Sequence, residues 1–68
     1  MWPYTRLERL DALVREARRI EAFLYRERCD AADPAPIDRR LVTVRRRITR
    51  LCLAARTERR RARELAAV

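Results

Sequence analysis

Nine residues of the C-terminal half, Ile37, Leu41, Val44, Ile48, Leu51, Ala55, Glu58, Ala62 and Leu65, recur at alternating spacings of four and three. Only Glu58 among them is not apolar. A strand would need period two, whereas this period places the apolar side chains on one stripe of an α-helix and keeps that stripe in line over successive heptads. The spacing predicts a helix from about residue 37 to about 66, roughly 45 Å long at 1.5 Å per residue.

The N-terminal half carries a shorter version of the same signal. Leu10, Leu13, Ala17, Ile20 and Leu24 alternate by three and four, with Leu7 and Val14 beside them widening the stripe. Ahead of it, Thr5-Arg6-Leu7-Glu8 fits a capping box, in which the Thr5 hydroxyl accepts the Glu8 amide and Glu8 reaches back. Nothing between residues 5 and 30 breaks a helix. The stretch Asp30-Ala31-Ala32-Asp33-Pro34-Ala35-Pro36 does, because each proline disfavours helical backbone in the residue before it and lacks an amide. Asp33 is the expected N-cap of the second helix, with Asp38 placing charge near its positive end. The expected layout is one domain over residues 1–68: helix 1 at about 5–30, a joint at 31–36, and helix 2 at about 37–66.

A joint that short makes the helices antiparallel neighbours, so the fold class is an all-α two-helix hairpin. Folding the chain about residues 33–34 puts Leu24 near Val44, Ile20 near Ile48, Ala17 near Leu51, Leu13 near Ala55 and Leu10 near Glu58. Trp2 and Tyr4 would then cover Ala62 and Leu65 at the open end. In this register Cys29 and Cys52 lie roughly 20 Å apart along the axis, too far for a disulfide, and read as reduced thiols. A 68-residue core rarely supplies more than ~3–5 kcal/mol unaided. Pairing of two hairpins into a four-helix bundle, or docking on a larger complex, would supply the remainder.

The residue alphabet restricts chemistry. The chain has no Gly, His, Lys, Ser, Asn or Gln, and all 18 of its basic residues are Arg. Absence of Gly and Ser suits a nearly all-helical chain. Without His, Ser or Lys the common general base and nucleophiles are missing, and two cysteines without His do not make a zinc site. The sequence therefore reads as a binding protein without catalytic residues, metal or cofactor. No stretch approaches the ~20 apolar residues of a membrane span, and charges from Arg6 onward do not fit a signal peptide. The expected location is the cytoplasm, or a virion if the chain is phage-encoded.

Charge is unevenly divided. Residues 1–30 hold seven Arg against six acids, whereas Arg39 to Arg63 hold eleven Arg against Glu58 alone, a net of +10. Like-charged neighbours such as Arg46–Arg50, Arg56–Arg60 and Arg59–Arg63 each cost a few tenths of a kcal/mol on a helix. Glu16, Glu21 and Glu27 across the seam, and Glu64, are expected to relieve part of this. Helix 1 has its own balanced pairs, Asp11–Arg15 and Glu16–Arg19.

An anionic partner would account for the remaining repulsion. Nucleic acid is the first reading, through Arg39, Arg46, Arg50, Arg56, Arg60 and Arg63, since guanidinium groups bind phosphate well. With no Asn or Gln to read adenine, no helix-turn-helix and no aromatic on the basic helix, recognition would be by charge and shape. The second reading is a protein-interaction or assembly subunit, either a homodimer or an adaptor, regulator or phage structural component. There Leu7, Val14, Phe23, Val42 and Leu53 supply apolar contact and the basic helix docks on an acidic protein surface. A membrane surface comes third and is disfavoured, because the narrow seam of helix 2 is needed to close the hairpin. In helix count and heptads the arrangement resembles small dimeric helical-hairpin proteins that bind RNA or act as adaptors. It departs from basic leucine zippers, whose basic region precedes the heptads. Glu58 has two readings: an ordinary residue near a fraying end that meets solvent or Arg61, or a buried polar group that sets register.

Overall fold

Thr5 starts the first helix as its sequence context demands. Its backbone is extended (φ −66°, ψ 163°) and its hydroxyl accepts the Glu8 amide at 3.1 Å, satisfying one donor that a helix N-terminus leaves open. The computed structural model describes residues 5–67 and is an all-helical hairpin of α1 (Arg6–Asp30) and α2 (Ala35–Ala66). At the end of α1 the backbone of Ala31 turns extended, while its amide still reaches the Arg28 carbonyl.

The second helix begins two residues earlier than the proline spacing suggested, at Ala35. Pro34 is the N-cap residue and Pro36 sits within the first turn, where the missing amide forfeits no internal bond. Asp33 is therefore not the N-cap itself. From one position further out its carboxylate accepts the Ala35 amide at 3.1 Å, so the residue supplies the expected acceptor from a different place. The joint contracts to residues 31–34.

The hairpin measures 57 × 23 × 15 Å, two helices wide and one helix thick. A single layer can enclose only the line where the helices touch. Accordingly the buried residues are Ala17 and Leu24 on α1, and Leu41, Ile48 and Ala55 on α2, each set at heptad intervals. Leu24, 1% exposed, is the largest fully buried side chain. The alternate seam positions of α2, namely Ile37, Val44, Leu51 and Glu58, are only half-buried, as are Leu10, Leu13 and Val14 on α1. Ile20, level with Ile48 in the expected register, is 38% exposed, because among the described residues no third element covers that side of the seam.

Ion pairs tie the helices at both ends. Arg28 Nε meets Asp38 Oδ1 at 2.6 Å beside the joint, Arg59 Nη2 meets Asp11 Oδ1 at 2.8 Å, and Arg6 Nε meets Glu58 Oε1 at 3.3 Å. The residue numbers in these pairs sum to 66, 70 and 64, bracketing the 68 of a fold about residues 33–34. Bonding to and charge on Asp38 raise the Arg28 guanidinium above the usual arginine range. Asp11 thus reaches across the hairpin, not to Arg15. Glu58 lies 3.8 Å from Arg61 as well as bonding Arg6, with its side chain 19% exposed. At the open end Leu65 is exposed, and its expected cover, Trp2 and Tyr4, lies outside the described residues.

Candidate functional site

The basic surface is built by the seam that opposes it. Because Leu41, Ile48 and Ala55 must face α1, the residues two positions before each, Arg39, Arg46 and Leu53, lie about 200° around a helix of 3.6 residues per turn and face away. Arg60 continues that column. Beside it runs a second column of Val42, Thr49, Arg56 and Arg63. Together they make an outer stripe, Arg39, Val42, Arg46, Thr49, Leu53, Arg56, Arg60 and Arg63, spaced three and four throughout. Arg50, one turn after Arg46, adjoins the stripe. The six arginines expected to bind an anion are all exposed and share this back face. Arg39, Arg46 and Arg50 group toward the joint, and Arg56, Arg60 and Arg63 toward the C-terminus.

All eleven arginines between Arg39 and Arg63 are exposed. Within 4.0 Å of a carboxylate, among the described residues, are Arg59 (on Asp11), Arg61 (on Glu58) and Arg60, which is just at that distance from Glu64. Eight of the eleven are therefore without an ion pair among the described residues. The acids that meet arginine across the hairpin are Asp11, Asp38 and Glu58. Glu16, Glu21 and Glu27, expected to do this, form no such pair among the described residues, and Glu16 and Glu27 are exposed. Only Glu64 relieves repulsion as anticipated. Between Arg39 and Arg56 the field of α2 is not neutralised locally.

The threonines of α2 carry no signal in the heptad or charge pattern. Thr43, Thr49 and Thr57 each donate their hydroxyl to the carbonyl four residues back, Arg39, Arg45 and Leu53, at 3.1–3.3 Å. This is the local bond such side chains make in helices, and it leaves the guanidinium groups as the free donors of the face. A shallow depression lined by Thr43, Arg46, Thr49 and Arg50 sits in its joint-side half. Comparison with protein-family models, curated proteins and solved structures finds no match. The geometry of the face thus stands on its own.

The five apolar residues expected to make a partner interface do not form one surface. Leu7 and Val14 are half-buried beside the seam. Phe23, 49% exposed, lies on the opposite flank of α1, while Val42 and Leu53 lie within the arginine stripe of α2. Cys29 is exposed and Cys52 half-buried, both as free thiols. No helix among the described residues is long and apolar enough to cross a membrane.

Proposed function

We propose that this protein is a non-catalytic nucleic-acid-binding hairpin whose second helix lies along a phosphate backbone. The observation that carries the reading is the outer face of α2, where Arg39, Arg46, Arg50, Arg56 and Arg63 are exposed and without an ion pair among the described residues and Arg60 lies 4.0 Å from Glu64. From Arg39 to Arg63 the face runs about 36 Å, close to one turn of duplex DNA. Its donors suit phosphate oxygens, and the threonine hydroxyls of α2 donate to the backbone instead of outward.

The test is fluorescence anisotropy with random duplex DNA and duplex RNA between 50 and 200 mM salt. Counterion release gives about 0.9 of a log–log unit per phosphate neutralised on DNA, so six contacts predict a slope near −5. Arg46→Gln with Arg50→Gln reduces the slope by about 2 and weakens all sequences equally. Absence of binding at low salt overturns the proposal.

One observation favours a second reading. Val42 and Leu53, 48% and 54% exposed, interrupt the arginines with apolar surface, which phosphate does not need and an acidic protein surface would use. Leu53→Ser separates the two: nucleic-acid affinity is unchanged under the first reading, and binding to a protein partner falls under the second.

A further inference from the structure

The seam prepared by the sequence is wider than one hairpin closes. Of its two heptad columns on each helix, Ala17–Leu24 and Leu41–Ile48–Ala55 are buried, whereas Leu13–Ile20 and Val44–Leu51 stay half-buried or exposed. The open columns share one side of the hairpin, and an ion pair shows it. Arg6 belongs to the Leu13–Ile20 column and Glu58 to the Val44–Leu51 column, and the two bond at 3.3 Å. The other two crossing pairs, Arg28–Asp38 and Arg59–Asp11, join the opposite flank, since Asp11, Val14, Arg18, Glu21, Tyr25 and Arg28 form a separate three–four series. Phe23 adds its ring to the open side, one helical turn beyond Ile20.

From this we infer that the open side is closed by a second copy of the chain, in an isologous four-helix bundle that leaves the arginine stripe facing outward. Three arguments single out this occupant. The open positions continue a coiled-coil seam already half used, so a like helix pair fits them with ordinary packing. The face, 25 residues of α1 by two helix widths, offers of the order of 700 Å² per copy, near the ~800 Å² of a standard interface. Charge also selects the pairing. On this side α1 presents the exposed acids Glu16, Glu27 and Asp30 against Arg9, while α2 presents Arg40, Arg47 and Arg61. Stacking α1 on α2 of the second copy unites opposite charges, whereas stacking α2 on α2 sets arginine on arginine. About a two-fold axis parallel to the helices, the register of the hairpin brings Glu27 level with Arg40 of the second copy. This inference concerns assembly and does not depend on the nature of the anion.

Sedimentation of nuclease-treated protein at moderate salt tests it. The wild type is expected to be a dimer at tens of micromolar. Phe23→Asp, an exposed change, should give a monomer whose helical circular dichroism is kept. Glu27→Arg and Arg40→Glu should each raise the dimer dissociation constant at least about tenfold. Mixing those two variants should restore dimer, because only contacts between chains then pair opposite charges; within each chain positions 27 and 40 are alike. A monomeric wild type, a Phe23→Asp dimer of unchanged affinity, or a mixture no tighter than its components would each overturn the inference. None of these readouts involves nucleic acid, so a failure here leaves the salt test of the arginine face standing.

Discussion

Leu24→Ala probes whether the seam, rather than helix propensity or surface charge, holds the hairpin. Leu24 is 1% exposed, the least exposed of a five-residue buried set. The change removes three carbon groups, about 2.4 kcal/mol at ~0.8 kcal/mol each. A further cavity contribution applies, small here because the walls of a single-layer structure can close, giving about 3 kcal/mol in all. Against the ~3–5 kcal/mol that such a core supplies, the variant stands near its unfolding midpoint at 25 °C. For a domain of this size about 1 kcal/mol moves Tm by 4–8 °C, so the midpoint should fall by roughly 12–24 °C. The control is the same chemical change at Leu53, which is 54% exposed. Its cost is below about 1 kcal/mol, partly offset by the better helix propensity of Ala. Thermal unfolding followed by circular dichroism at 222 nm reads both at equal protein concentration. Equal losses in the two variants, or a loss below about 1 kcal/mol at Leu24, would refute the argument that the buried heptad columns carry the stability.

Two further outcomes test the seam. Glu58→Leu should raise stability by about 1 kcal/mol, since a leucine at this half-buried seam position gains more than two ion pairs to well-exposed arginines lose; a lower Tm would show that the bonds to Arg6 and Arg61 outweigh burial. Ala17→Cys with Leu51→Cys, in a chain with Cys29→Ala and Cys52→Ala, should crosslink within one chain on mild oxidation. A chain that stays uncrosslinked on a non-reducing gel would displace the register.

How much of this was legible before folding depends on how local the signal is. The cap at Thr5 and the outward column Arg39–Arg46–Arg60 follow from spacing along one helix, and the structure places them accordingly. The proline pair marks the joint in the sequence, yet Pro34 serves as the N-cap and Pro36 sits in the first turn, so Asp33 acts from outside the N-cap. Acids fared worst. Sequence spacing pairs Asp11 with Arg15, four residues away, whereas Asp11 holds Arg59 across the hairpin, because long guanidinium arms near the seam compete for any carboxylate within reach. The three threonines follow the opposite rule: their bonds are local, each to the carbonyl four residues back.

Heptad spacing and the prolines by themselves determined two helices, their antiparallel pairing and the concentration of positive charge on the second. Each is a property of side-chain periodicity and chain connectivity. Tertiary structure alone decided which half of each apolar stripe is buried. A heptad seam contains two columns per helix, and one hairpin has only one line of contact to fill, so Ala17, Leu24, Leu41, Ile48 and Ala55 close while Ile20 is left at the surface. Which flank stays open depends on how far each helix is rotated about its own axis. That rotation is set by packing across the chain and carries no mark in the order of residues.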